Sequence, residues 1–83
     1  LTVVIHGTGY RLALRGNLAT TVPIELPQLM EQVLAVRGTP EGIRLRVHLH
    51  ETASEGAQSD LLRAARQAGL KPEHLQQVSG FLP

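Results

Sequence analysis

The clearest pattern in the chain is a strict alternation of apolar and basic residues near its centre, in Ile43–His50. Four apolar residues alternate there with four basic or titratable ones: Ile43, Leu45, Val47 and Leu49 on one side, and Arg44, Arg46, His48 and His50 on the other. Successive side chains of a strand point to opposite faces, so this stretch predicts a strand with one buried face and one basic face. We expect the basic face to remain in solvent.

Two further strands are predicted before this one, joined as an antiparallel hairpin. Leu1–His6 is rich in β-branched residues, and Tyr10–Arg15 alternates between its two sides. The loop between them, Gly7–Gly9, is bracketed by glycines that permit positive φ. The next stretch, Leu18–Ile24, is ambiguous, and it could form a short extended piece leading to Pro23.

Two amphipathic helices are predicted, one before and one after the central strand. Each carries apolar residues at helical spacing. The stripes are Leu26, Leu29, Met30, Val33 and Leu34 in the first helix, and Ala57, Leu61, Ala64, Ala65 and Ala68 in the second. The alanines of the second stripe would let that helix lie close to the sheet.

The ends of both helices carry capping signals. Arg37 and Gly38 suit the end of the first helix, where a cation and a residue with positive φ are favoured. Thr52 and Glu55 fit a capping box at the start of the second helix, and Gly69 suits its end.

A last strand is predicted in His74–Leu82, where two glutamines and Gly80 dilute the apolar pattern. The order is then β-β-α-β-α-β. The central strand, the second helix and the last strand form a right-handed crossover unit, which makes the two strands parallel. We therefore predict a single domain, 1–83, of the α+β class, with two helices packed on one face of a small mixed sheet.

The composition narrows the classes of function. Eight basic and seven acidic residues leave a net charge of +1, which argues against a polyelectrolyte partner, and Tyr10 and Phe81 are too few aromatics for stacking nucleic-acid bases. There is no cysteine, so disulfides and thiolate chemistry are excluded. No apolar run approaches the roughly 20 residues of a membrane helix. Because the chain starts at Leu1, we expect a domain of a longer protein.

The basic face of the central strand is the first candidate site. Arg44 and Arg46 could form bidentate pairs with a carboxylate, and His48 and His50 have a spacing that could chelate a metal, with His6 as a third ligand. No carboxylate accompanies the histidines, so no metal or cofactor is predicted. The alternative is a set of charged outer positions that keeps the sheet soluble.

The last strand is the second candidate site, because an outer strand leaves N–H and C=O groups unpaired. Such an edge can pair with a second copy of the chain or with an extended peptide. The residues expected to take part are Leu75, Gln77, Val78 and Phe81. The alternative is an edge at which Gly80 and Pro83 disfavour pairing with another strand.

An enzyme is not predicted. Ser54, Ser59 and Asp60 lie near the histidines in sequence, but none sits in a nucleophile-elbow pattern. Ser59 and Asp60 fit better on the polar face of the second helix. Gly7–Gly9 lacks the spacing of a phosphate-binding loop.

The order of the predicted elements, and the turn and capping residues between them, resemble those of the periplasmic domain of the ExbD/TolR family of biopolymer transport proteins. The similarity rests on the hairpin of Leu1–Arg15, a helix like Pro23–Arg37, the central strand, Ser54-Glu55-Gly56 before the second helix, and the pair Ala68-Gly69 at its end. Two features depart from the family. After the central strand, His50-Glu51 and Ser54-Glu55-Gly56 stand where the family has an acidic residue and a Pro-Tyr-Gly-like step, and Leu18–Ile24 is longer than its usual link.

This resemblance implies a non-enzymatic module on the periplasmic side of the bacterial inner membrane, anchored by an N-terminal helix. It implies a homodimer that engages peptidoglycan or a peptide of an envelope protein, with an ExbB/TolQ-like partner in the membrane and no nucleic acid. The proton-carrying aspartate of the family lies in the membrane helix, so no residue of this chain can take that role. The alternative is a small α/β module that binds an anion or another ligand on the basic strand face.

Overall fold

The computed structural model describes residues 1–36 and 42–82. In these ranges it contains a five-stranded sheet and two α-helices. The strands are β1 (Thr2–His6), β2 (Gly9–Ala13), β3 (Thr21–Ile24), β4 (Leu45–His50) and β5 (Leu75–Leu82), and the helices are α1 (Leu26–Ala35) and α2 (Glu55–Gln67). The residues Arg37 and Gly38, proposed above as the end of the first helix, lie outside the described ranges, as does Pro83.

The sheet is mixed, as predicted, with the strand order β3-β2-β1-β4-β5. The pairs β1–β2 and β2–β3 are antiparallel, whereas β1–β4 and β4–β5 are parallel. Helix α2 connects the parallel strands β4 and β5, because parallel neighbours need a crossover longer than a hairpin turn. The predicted α+β class is confirmed, with one strand more than the sequence showed.

The additional strand is β3, which comes from the ambiguous stretch Leu18–Ile24. It pairs with β2 and forms one edge of the sheet. Pro23 lies within it, which is compatible with an edge strand because one side of its backbone needs no ladder partner. The resemblance placed Pro23 at the start of the first helix, and that placement is wrong.

The alternation in the centre of the chain is confirmed from Leu45 onwards. Leu45, Val47 and Leu49 are at most 8% exposed, whereas Arg46 is exposed. The predicted strand began at Ile43, two residues too early. The Arg44 N–H donates to the His74 carbonyl, and the Arg44 carbonyl accepts from the Leu1 amino group on the opposite side. Regular ladders keep both groups of a residue on one side, so Arg44 lies outside the strand.

Both helices pack on the same face of the sheet. One cluster of buried residues joins alternate positions of β1 and β4 to the inner faces of both helices. Its most completely buried members are Ile5, Leu29, Leu45, Leu61, Val3 and Val33. The predicted stripes are confirmed except at Leu34, which is 50% exposed because α1 contacts the sheet along a narrower stripe.

The two ends of α2 differ in how well the sequence predicted them. Ser54 is the N-cap, and its hydroxyl accepts the Ala57 N–H at 3.0 Å, so the capping box proposed for Thr52 is wrong. The C-terminal prediction is confirmed. Gly69 has a φ of +92°, and Leu70 N–H donates to the Ala65 carbonyl at 3.0 Å, as in a Schellman motif. Leu70 is then buried in the core.

The second strand is shorter than predicted. It ends at Ala13, and Leu14–Gly16 forms a single turn of 3₁₀ helix in which Arg15 has a φ of +55°. The chain therefore leaves the sheet two residues before Arg15. The predicted strand, which extended to Arg15, is therefore two residues too long at this end, and Leu14 is 40% exposed.

Tyr10 links the hairpin to α2. Its hydroxyl donates to the Ala57 carbonyl at 2.7 Å. Burial of the phenol, and then the nearby Asp60 carboxylate, raise the pKa of Tyr10 above its ordinary value, because both disfavour the phenolate. The unfolded chain therefore loses this proton first as pH rises.

Replacing Tyr10 with Phe should lower the free energy of unfolding by about 1 kcal/mol near neutral pH, because one hydrogen bond is lost. The raised pKa stabilises the fold fully below the ordinary value of about 10, and that stability is lost as pH rises through the folded pKa. Urea unfolding should therefore show the difference between the proteins shrinking above about pH 10. A constant difference would mean that the phenol keeps its ordinary pKa in the fold. Since Tyr10 is the only tyrosine, phenolate absorbance can follow the titration directly.

Candidate functional site

The candidate site lies on the face of the sheet opposite the helices, here called the open face. The strand register places Arg46 beside Thr2 and His48 beside Val4 on neighbouring strands. His50 follows on the same face of β4. The structure thus brings three of the four predicted basic residues together on one face. Arg44 precedes the strand, is half-buried, and shares a small cavity of about 60 Å³ with Thr2 and Arg46.

Arg46 already has a partner on this face. Its Nε donates to Gln76 Oε1 at 2.8 Å, across the β4–β5 pair, and both side chains are exposed. The remaining guanidinium nitrogens take no part in this bond. Arg46 therefore lies between the two candidate sites, because it belongs to the basic face and contacts the edge strand.

His6 and His50 form a close pair, because β1 and β4 are neighbours. Their ring centroids are 4.1 Å apart with an interplanar angle of 36°. The Thr52 N–H donates to His50 Nδ1 at 3.1 Å, and Thr52 Oγ1 lies 2.8 Å from the same nitrogen. A backbone N–H can only donate a hydrogen bond, so Nδ1 is the acceptor. The neutral ring of His50 therefore carries its proton on Nε2.

Thr52 connects this histidine to the hairpin loop. Its Oγ1 accepts the Gly7 N–H at 3.0 Å, so the hydroxyl proton can be donated to His50 Nδ1. The hydroxyl that the sequence suggested as a helix cap is used here to hold an imidazole ring. The geometry of the β1–β2 turn and the orientation of His50 are thus coupled.

The arrangement favours hydrogen bonding over metal binding. Among residues 1–36 and 42–82, no group of three or more histidine, cysteine, aspartate or glutamate side chains could hold a metal ion. The two rings that do meet are those of His6 and His50, and catalytic zinc sites use three protein ligands. His50 also points an acceptor nitrogen at Thr52 and not at an open position.

The open face is less exposed to solvent than the sequence indicated. Thr2, Val4 and Ala13 lie on it and are only 9%, 6% and 3% exposed. On β4 the basic face remains partly in solvent, with Arg46 exposed and His50 half-buried, whereas the neighbouring part of this face on β1 and β2 is covered. The reason is the connection between β2 and β3, residues 14–20, whose Leu18 and Ala19 line a groove together with Val4.

This connection is held by its own hydrogen bonds. Leu14 N–H donates to the Thr20 carbonyl at 2.9 Å, and Ala19 N–H donates to Asn17 Oδ1 at 2.9 Å. Asn side chains stabilise such turns by bonding a backbone group two residues on. These hydrogen bonds therefore hold the loop in a defined conformation beside the sheet.

The groove between this loop and the end of β5, here called the open-face groove, has a volume of about 490 Å³. It is lined by Val4, His6, Arg11, Leu18, Ala19, Thr21, His50 and Leu82. Arg11 is positioned by Thr21, which accepts from Nε at 2.9 Å and, through its carbonyl, from Nη2 at 3.2 Å. Sequence reasoning named His6 and His50 but missed Arg11, whose alternation with apolar neighbours in β2 was the available signal.

The second candidate site is the edge formed by β5, which ends the sheet as predicted. Phe81 is 66% exposed and Gln77 is also exposed, whereas Leu75 and Val78 are half-buried. The register shifts between Val47 and Leu49, where Gly80 in β5 has a φ of +85°. A cavity of about 210 Å³ beneath α2 opens beside this edge and is lined in part by Leu62, Leu75 and Gln77.

The register also shows which backbone groups of β5 face outward. In a parallel ladder, both groups of one residue face one neighbour and those of the next residue face the other. Arg46 N–H donates to the Leu1 carbonyl, so Arg46 faces β1 and Val47 faces β5. Gln77 lies opposite Val47, and its N–H and C=O therefore point away from the sheet.

The serine and aspartate residues that could suggest catalysis have structural positions. Ser54 caps α2, as described above. Asp60 lies on the exposed face of α2, 3.9 Å from the Arg63 guanidinium. Ser59 is exposed on the same helix.

Neither helix in the described ranges is long and apolar enough to cross a membrane. In comparisons with protein-family models, with curated proteins and with solved structures, nothing matches the chain.

Proposed function

We propose that this chain is a non-enzymatic periplasmic domain of an energy-transducing membrane protein of the ExbD/TolR kind. In this proposal the domain pairs with a second copy and engages peptidoglycan or a peptide segment of an envelope protein. A preceding membrane helix would contact an ExbB/TolQ-like partner and anchor the domain to the bacterial inner membrane. The domain then passes motion driven by the proton gradient to the envelope.

The observation that carries the proposal is the open edge of β5. This strand has eight residues, its neighbour on one side is β4, and Gln77 directs its backbone groups outward. Unpaired strand edges accept another strand through backbone hydrogen bonds. The exposed Phe81 and Leu62, 66% and 48% exposed, add apolar surface near this edge. The element order on which the family resemblance rests, β-β-α-β-α-β, is retained, with β3 added between β2 and α1.

The second proposal from the sequence, an anion-binding module that uses the basic strand face, is supported by a different observation. That observation is the convergence of Arg11, His6 and His50 on the open-face groove. The two proposals concern different surfaces.

The edge can be tested with the substitution Gln77→Pro. Proline has no N–H and is tolerated on edge strands, and the Gln77 N–H is not used in the β4–β5 ladder. In a two-fold symmetric pairing both copies lose this donor. At about 0.5–1.5 kcal/mol per hydrogen bond, the dimer dissociation constant should rise about tenfold. Light scattering coupled to size exclusion over a range of concentrations measures this constant.

The matched control is Gln77→Ala, which keeps the backbone N–H and should leave the dissociation constant near that of the parent chain. Both variants should unfold at nearly the same temperature, because neither removes a bond within the sheet. A chain that stays monomeric at high concentration and does not sediment with purified peptidoglycan contradicts the proposed function. A dimer that forms equally well with Gln77→Pro places the interface on another surface.

A further inference from the structure

The open-face groove runs across the sheet from β2 to β5. Val4 is the cross-strand neighbour of Arg11, and His50 lies beside Leu82. Arg11 and Leu82 are three strands apart, which corresponds to roughly 14–15 Å at the usual strand spacing. The groove volume of about 490 Å³ lies within the range of small-molecule sites. The groove is thus long enough for an extended small molecule.

One set of groove residues donates hydrogen bonds. Arg11 uses Nε and Nη2 to bind Thr21, which fixes the guanidinium while Nη1 takes no part in those bonds. His50 offers Nε2–H, because its Nδ1 accepts from Thr52. His6 lies against the His50 ring. A fixed guanidinium suits a carboxylate, which accepts several hydrogen bonds at once, and the histidine pair adds polar groups further along the same groove.

The other groove residues are apolar. Val4 and Leu82 lie on the sheet, and Leu18 and Ala19 lie on the connecting loop. Leu18 is 38% exposed and presents apolar surface to the groove. An inorganic anion would leave these side chains in water, whereas an aliphatic chain would cover them.

Acidic groups are placed elsewhere on the protein. The acidic residues in the described ranges lie on the helices, at helix starts or in turns: Glu25, Glu31, Glu51, Glu55, Asp60 and Glu73. None of the described lining residues of the groove is acidic. A negatively charged head group would therefore meet cationic and neutral donors and no fixed negative charge.

We infer that the open-face groove binds a small aliphatic carboxylate, with the carboxylate at Arg11 and the hydrocarbon chain along Val4 and Leu18 towards Leu82. This inference goes beyond the proposed coupling function. The groove and the β5 edge involve different residues, so either proposal can fail without the other.

The test is a titration of the ¹⁵N-labelled chain followed by amide chemical shifts, at neutral pH and below micelle formation. The three probes are sodium octanoate, octan-1-ol and sodium acetate. Octanoate should give saturating shifts at Val4, Arg11, Ala19 and His50. Octanol lacks the charge and acetate lacks the chain, so each should bind at least about tenfold more weakly.

Two variants locate the head group and the chain. Arg11→Gln should weaken octanoate binding about tenfold or more, whereas Arg63→Gln, the same change on the exposed face of α2, should leave it unaltered. Leu18→Asp places a negative charge on an exposed loop residue of the groove and should abolish saturation without touching the core. It serves as the test if Arg11→Gln does not fold.

Three results would overturn the inference. Octanol that binds as tightly as octanoate would mean that the cationic residues do not hold a head group. Acetate that binds as tightly would mean that the apolar residues do not hold a chain. Octanoate shifts centred on Leu61 and Leu75 would place the ligand in the cavity beneath α2 instead.

Discussion

Replacing Leu61 with Ala should lower the free energy of unfolding by about 3 kcal/mol, the largest effect we expect from a single truncation. Leu61 is 1% exposed and lies where α2 contacts the sheet. Removing a buried leucine side chain loses its transfer free energy and leaves a cavity. A chain of this size has a total stability on the order of 4–12 kcal/mol, so the loss is a large fraction of it. Urea unfolding at equilibrium measures the difference.

The neighbouring residue supplies a matched control. Leu62 lies on the same helix but is 48% exposed, so Leu62→Ala should cost less than about 1 kcal/mol. Both substitutions change helix propensity in the same way, and their difference therefore reports burial alone. Equal costs for the two variants would mean that α2 does not dock on the sheet through Leu61.

Replacing Val4 with Ala should cost about 2 kcal/mol, although Val4 points away from the helices. Val4 is 6% exposed because the connection between β2 and β3 covers part of the open face. The expected loss is the burial free energy of the deleted methyl groups together with the gap that they leave. It should approach the loss for Val47→Ala on the helix-covered face, where Val47 is 5% exposed.

Val22→Ala is the control for the second truncation. Val22 also lies in a strand but is 39% exposed, so its truncation should cost less than about 1 kcal/mol. If Val4→Ala costs no more than Val22→Ala, the open face is solvated and the open-face groove is absent. In that case the open face would also be in solvent at Val4, and the proposed carboxylate site would lack the buried residue beneath its hydrocarbon chain.

Local patterns were sufficient wherever neighbouring residues decide the conformation. The alternation of Ile43–His50 predicted a half-buried strand, which the structure has at Leu45–His50, because side chains alternate between the faces of any strand. Gly69 predicted the end of α2 because its backbone adopts positive φ, which costs glycine little. Each of these signals lies within fewer than ten consecutive residues.

Long-range contacts decided the features that the sequence left open or misplaced. Thr52 and Ser54 are both good helix caps, and only the fold shows that Thr52 instead accepts from Gly7 and contacts His50. The ambiguous stretch before α1 becomes β3 because β2 offers it an unpaired edge. Neither outcome follows from the local sequence, because the partner lies on another strand.

The sequence by itself determined the α+β class, the two helical faces and the strand that separates an apolar side from a basic one. These follow from periodicity, which records where each side chain must point along its own element. Only the tertiary structure decided that a loop covers part of the basic side, that His6 meets His50, and that Arg11 joins them in a groove. Those arrangements depend on which strands become neighbours, and that is settled by packing and register across the whole chain.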